Sequence, residues 1–146
     1  MNHLRLHPKT RSRRLTRGAA FALAGLGLTF TSSAAPLLRC EVAYAGSTQV
    51  IEARTVADPY RVASVDIGGR FRFKAVMVGD ASQVAYIKLY AYLDAKRQPI
   101  LLQQATYLPP FKAAASPYPL TGEQHLYGGA VERELMYSCT LQGIAP

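Results

Sequence analysis

The chain has 146 residues, with 17 Lys and Arg against 9 Asp and Glu, a formal charge of +8 and a hydrophobic fraction of 49%. Such a basic balance would ordinarily suggest a nucleic-acid partner, but six of the basic residues fall within the first seventeen positions. From Ala35 onward eleven Lys and Arg face nine Asp and Glu, which leaves +2 and removes most of that argument.

The chain opens with Arg5, Lys9, Arg11, Arg13, Arg14 and Arg17 and no acidic residue, followed by the apolar run Gly18 to Phe30 and the small residues Thr31-Ser32-Ser33-Ala34-Ala35. A basic segment, a short apolar segment and a small-residue cleavage site make a cleavable signal peptide over residues 1–34. The 13 apolar residues fall short of the roughly 20 that a membrane span requires, so no stable membrane anchor is expected after leader cleavage. A lipoprotein would carry its cysteine directly after the apolar run, whereas Cys40 follows Arg39. Ser12-Arg13-Arg14 approaches the twin-arginine pattern, but Thr16 and Arg17 stand where that pattern is apolar. The ordinary secretory route is therefore favoured over folded export, and the expected location is periplasmic or secreted.

Residues 35–146 form a segment of 112 residues, one domain in size and long enough to bury roughly two thirds of its unfolded surface. Its two cysteines, Cys40 and Cys139, lie near its ends. In an exported chain they are expected to form one disulfide that ties the first and last strands together. There is no CxxC spacing to suggest redox or metal chemistry.

Strand periodicity runs through this segment. Leu38 to Tyr44 alternates, with Cys40, Val42 and Tyr44 on one face, and Thr48 to Val56 is expected to pair with it as a hairpin. Ala57-Asp58-Pro59-Tyr60 reads as a turn and Gly68-Gly69 as a break. Arg70 to Val78 sets Phe71, Phe73, Ala75 and Met77 against Arg70, Arg72 and Lys74, and Val84 to Asp94 sets Ile87, Leu89, Ala91 and Leu93 against Tyr86, Lys88, Tyr90 and Tyr92. Ile100 to Tyr107 is a fifth strand. Val131 to Leu141 is the last, with Val131, Leu135, Tyr137, Cys139 and Leu141 expected inward. Between these two lies Leu108 to Gly129, rich in proline and interrupted by a short strand near Gln124 to Tyr127; loops of this length are often functional. The pattern predicts an all-β domain, either an antiparallel sandwich of immunoglobulin-like architecture or a small barrel of six to seven strands.

One surface stands out. Burial fixes the parity of the third and fourth strands, because only even-to-even pairing places Phe71 and Phe73 with Ile87 and Leu89. A turn centred near Ala81 then sets Arg70, Arg72 and Lys74 across from Tyr92, Tyr90 and Lys88, with Tyr86 at the edge. Arg70, Arg72, Lys74, Tyr86, Lys88, Tyr90 and Tyr92 thus make a candidate binding patch of cations and aromatic rings. The plainer reading is that these are ordinary cross-strand pairs, each worth about 0.2–1 kcal/mol, or that the other sheet's rim or the proline-rich loop covers the face.

Catalytic and metal chemistry find little support. His125 is the lone histidine after residue 34, beside Glu123, and the methionines Met77 and Met136 fall on separate strands. A metal site needs three or four converging ligands, so no metal and no cofactor is expected. A Ser-His-acid site would depend on His125 alone, without a Gly-x-Ser-x-Gly elbow. Glu132 and Glu134 share a strand face at a spacing common on solvated strands.

Tyr137-Ser138-Cys139 is similar to the tyrosine-before-cysteine feature of immunoglobulin domains. Without a tryptophan, and with the cysteines so far apart, it supports the sandwich architecture and nothing about ancestry. The leader followed by a short β domain resembles the small, functionally uncharacterised exported proteins of Gram-negative bacteria, a resemblance that implies no activity. The expectation is a non-catalytic binding or accessory module of the cell envelope, with an envelope protein or an anionic glycan as partner and no nucleic acid. A structural subunit of an envelope assembly is the alternative, and a small hydrolase comes third.

Overall fold

The computed structural model describes residues 35–145, and the signal peptide expected over residues 1–34 lies outside them. Nine strands follow in order: β1 Leu37–Tyr44, β2 Ser47–Val56, β3 Val65–Ile67, β4 Phe71–Gly79, β5 Val84–Leu93, β6 Ile100–Tyr107, β7 Tyr118–Pro119, β8 Gln124–Gly128 and β9 Arg133–Gln142. A 3-10 turn, Pro59–Arg61, separates β2 from β3, and the Asp58 side chain caps it by accepting the Tyr60 N–H.

The strands hydrogen-bond in the order β6-β5-β4-β2-β1-β9, and β7 and β8 share the free edge of β9. The sheet curls into a nearly closed barrel of seven strands. Its core is made by the inward set of each strand, which includes Leu38, Cys40, Val42, Phe71, Phe73, Met77, Ile87, Leu89, Leu135, Tyr137, Cys139 and Leu141. The period-2 alternation of apolar residues is what curls the sheet: one face of every strand must leave water, and closing the sheet on itself buries all of these faces at once. The expected all-β class is correct, but the sheet is not wholly antiparallel. The end of β2 leaves β1 and runs parallel to β4, with Thr55 opposite Met77 and Val56 opposite Val78.

The two cysteines form the disulfide Cys40–Cys139, and their Cα atoms are 4.0 Å apart. They sit directly opposite on neighbouring antiparallel strands, β1 and β9, and both are fully buried. The Cys139 N–H donates away from β1 to Thr121 Oγ1 at 2.9 Å, and its carbonyl accepts from Leu120 N and Thr121 N. The cystine therefore occupies a non-hydrogen-bonded pair, where opposed Cα atoms come closest. It closes a loop spanning 99 positions, worth about 4.7 kcal/mol in the chain-entropy picture.

Two strand limits differ from the sequence expectation. Val131 is 69% exposed, not inward. Gly129 to Glu132 forms a turn closed by Glu132 N–H to the Gly129 carbonyl, with Glu132 in the left-handed region, so β9 starts only at Arg133. The β4–β5 register keeps the expected parity but is shifted by two: Arg72 opposes Tyr92, Lys74 opposes Tyr90 and Val76 opposes Lys88. The loop between these strands is the cause. Asp80 accepts from Ser82 N, Ser82 Oγ and Gln83 N, which fixes a four-residue loop, and a bulge at Val78/Gly79 leaves Ala85 without a partner. Gly79 is required here, because its φ is 153° and a Cβ would collide with the Gln83 carbonyl oxygen.

Between β6 and β8 no ladder forms. Side chains span this seam: Tyr137 OH donates to Gln103 Oε1 at 2.6 Å, and Gln103 Nε2 donates to Gln124 Oε1 at 3.3 Å. Burial first, and then neighbouring Tyr107, push the Tyr137 phenol up to about 12, so it stays a neutral donor.

Thr121 is the one buried polar residue among the described residues, and it fills the place on the β9 edge between β7 and β8. Thr121→Val keeps its shape but orphans the Cys139 N–H, and should lower unfolding free energy by about 1–3 kcal/mol in denaturant titration. Thr121→Ser should lose less than the valine variant. A valine variant as stable as the parent would contradict this role.

Candidate functional site

The outer face of β4 and β5 collects most of the predicted patch. Rows of opposed residues cross it: Asp66, Arg72, Tyr92 and Leu101 on β3, β4, β5 and β6; Lys74, Tyr90 and Gln104 on β4, β5 and β6; Val76, Lys88 and Thr106 on the same three strands; and Val78 with Tyr86. Arg70 is the exception. It sits in the exposed turn before β4, and its carbonyl accepts the Asp94 N–H.

Arg72 does not stand free. Its Nε lies 3.3 Å from Asp94 Oδ2, inside ion-pair distance but out of hydrogen-bond alignment. Lys74 and Lys88, by contrast, have no carboxylate within ion-pair distance among the described residues. The Lys74 ammonium sits 6.0 Å from the Tyr90 ring centre and the Lys88 ammonium 5.4 Å from that of Tyr86. Such contacts hold an ammonium over an aromatic face without neutralising it. The Tyr90 and Tyr92 rings lie nearly parallel, 12° apart in plane with centres separated by 6.2 Å. Burial, followed by the neighbouring Tyr90, raises the Tyr92 pKa.

The face is partly covered. The chain between β2 and β3 folds over β4: the 3-10 turn lies against the strand, and Val76, outward by parity, is only 2% exposed. Val62 and Ser64 from this segment, with Arg72, Lys74, Tyr92 and Pro99, line a groove of about 270 Å³. Asp94, Val62, Ser64 and Pro99 were not among the predicted residues. Only Asp94 left a trace in the sequence, as the acidic residue that ends a strand opposite a row of cations.

A second cluster lies on the outer face of β8 and β9. Tyr127 opposes Glu134 across the hairpin, and His125 stands two residues before Tyr127 on the same face. His125 Nδ1 is 2.6 Å from Glu134 Oε1, its Nε2 is 2.9 Å from Glu123 Oε1, and Tyr127 OH donates to Glu134 at 2.8 Å. A neutral imidazole has one N–H, so a ring with a carboxylate at each nitrogen favours the doubly protonated cation. Glu134 first and Glu123 second accordingly raise the His125 pKa above its ordinary 6.5. The same contact, followed by the Tyr127 bond, lowers the Glu134 pKa below 4.5. Sequence reading noted Glu123 beside His125 and considered Glu134 only with Glu132. The true start of β9 is what brings Glu134 to His125. Both ring nitrogens are engaged, and among the described residues no group of three or more His, Cys, Asp or Glu is arranged to hold a metal ion.

No family model, curated protein or solved structure matches the chain.

His125 is the only histidine in residues 35–146, so its NMR titration can be read directly in the protein freed of its leader. Its pKa should lie above 6.5, falling most on Glu134→Gln and less on Glu123→Gln. Stability from the raised histidine is complete below 6.5 and is lost as pH rises through the raised value. Stability from the lowered glutamate is complete above 4.5 and is lost as pH falls through the lowered one. The cluster should therefore stabilise β8 against β9 most between those two pH values. A histidine that titrates at its ordinary value, indifferent to Glu134→Gln, would contradict the arrangement.

Proposed function

We propose that this protein is a non-catalytic binding or accessory module that works outside the cytosol, in the cell envelope or the surrounding medium, and that the outer face of β4 and β5 is its contact surface. The observation that carries the reading is the pair of unneutralised lysines, Lys74 and Lys88, set among Tyr86, Tyr90 and Tyr92 on rigid strands. Residues 35–146 carry a net charge of only +2, and two lysines without a carboxylate partner on adjacent strands make this face locally positive. The leader-like N-terminus supports export. So does the buried disulfide, a bond that persists in oxidising compartments. No helix among the described residues is long and apolar enough to cross a membrane.

A second reading, a structural subunit of an envelope assembly, draws on β6. Its sequence from Ile100 to Tyr107 carries no charge and no proline, its outer edge lacks a ladder partner, and Ile100 and Leu101 are about half exposed. Natural edges of this kind are usually blunted by charge or covered, and β8 covers this one only through side chains.

Photo-crosslinking in the producing cell separates the two readings. A photoreactive phenylalanine analogue would replace Tyr86, Tyr90, Ile100 or, as a control on the first hairpin, Val50. The contact-face reading predicts adducts from positions 86 and 90 and none from position 50. Adducts from position 100 alone, joining copies of the chain or an assembly protein, would replace it with the structural reading. Silence at 86 and 90 would overturn it.

A further inference from the structure

The chemistry of the proposed contact face points to a ligand class, an inference that rests on the function proposed above. Three features constrain the ligand. The free charges are ammonium groups, because the one guanidinium on the face, Arg72, already has Asp94 as its counter-ion. An ammonium pairs as a point charge with carboxylate or phosphate, but the cradle of free backbone N–H groups typical of phosphate sites is not offered by β4 and β5, which sit in continuous ladders. Lys74 and Lys88 are also diagonal neighbours on adjacent strands, Lys88 facing Val76 and Lys74 lying two residues before it. Diagonal neighbours stand roughly 7–8 Å apart at the backbone, so a partner that engages both lysines presents at least two negative charges, as a chain of acidic units does.

The third feature is the surface between the charges. Tyr86, Tyr90 and Tyr92 each combine an apolar ring with a polar tip, and the groove beside Lys74 is walled by Val62, Pro99 and the Tyr92 ring, with the Ser64 hydroxyl as a hydrogen-bonding group. A sugar ring has the matching surface, with apolar C–H faces and a rim of hydroxyls. At about 270 Å³ the groove falls just below the usual range of small-molecule sites, about 300–1,000 Å³, which suits one ring of a longer chain. Nucleic acid also stacks on tyrosine, but it draws its affinity from many neutralised phosphates, and only two cations are free here.

We infer that the outer face of β4 and β5 binds a carboxylated glycan. One acidic sugar sits in the groove with its carboxylate on Lys74, and the chain runs across Tyr90 so that a further carboxylate reaches Lys88.

The test uses the exported, disulfide-intact protein and a polyuronate oligosaccharide. Comparison ligands are the same oligosaccharide with its carboxyls reduced to alcohols, a polyphosphate and a single-stranded oligonucleotide. The polyuronate should bind and its reduced form should not. Lys74→Gln and Lys88→Gln should each weaken binding by about fivefold, whereas Arg39→Gln, the same charge change on β1, which does not adjoin β4, should leave it unchanged. Tyr92→Leu should weaken binding without altering its dependence on salt. Equal binding of the reduced glycan, tighter binding of polyphosphate or oligonucleotide, or an Arg39→Gln effect as large as that of Lys74→Gln would overturn the assignment. So would no glycan binding. In that case crosslinks from position 90 to a protein would show that the face is a contact surface and only its ligand class was wrong, whereas silence there would remove both.

Discussion

The cystine between Cys40 and Cys139 joins the first strand to the last at the middle of their shared ladder. Everything else in the fold is arranged around that junction. β1 is held by β2 on one side and β9 on the other, and the far edge of β9 is completed by β7, Thr121 and β8 in turn. The first and last described strands meet here in a full ladder, whereas none forms at the seam between β6 and β8. Tyr137, Gln103 and Gln124 bridge it with side-chain hydrogen bonds instead.

Closure makes the outer faces dependable surfaces. Phe73 packs against Tyr137 across the interior with ring centres 4.9 Å apart, so β4 rests directly on the clasped strand β9. Tyr44 does the same at the end of β1, meeting Phe71 edge-on at 5.1 Å. With the inward residues of β4 fixed on both sides, Arg72 and Lys74 have only the outer face available. Arg72 has Asp94 as its counter-ion, and Lys74 lies over the Tyr90 ring with no carboxylate in ion-pair distance among the described residues. The histidine cluster on β8 and β9 is built differently. It is exposed, and its single imidazolium lies between two carboxylates, so the cluster keeps a net negative charge.

What the sequence made legible follows from period 2. The alternation of Phe71, Phe73, Ala75 and Met77, and of Ile87, Leu89, Ala91 and Leu93, fixed which side chains point outward whatever the register, because burial depends only on parity. The cysteine pairing was equally readable from two thiols at the ends of a domain. The register itself was not. It depends on three hydrogen bonds accepted by one Asp80 carboxylate oxygen and on a bulge at Ala85, neither of which alters hydrophobic periodicity. The parallel pairing of β2 with β4 and the path of Val62 and Ser64 over the outer face are long-range choices with no local signal. The meeting of His125 with Glu134 stayed hidden because a left-handed Glu132 delays the last strand by two residues.

The claim beneath all of this is that the clasp makes one cooperative unit, so that the β4–β5 face is only as stable as the β1–β9 junction. Native-state hydrogen exchange, measured by NMR on the oxidised protein and on the Cys40→Ala/Cys139→Ala variant, tests it directly. Core amides of β4 and β5 should open with the same free energy as those of β1 and β9, and both sets should fall together by about 4 kcal/mol when the bond is removed. Protection that drops in β1 and β9 while β4 and β5 keep theirs would show two independent halves and contradict the account.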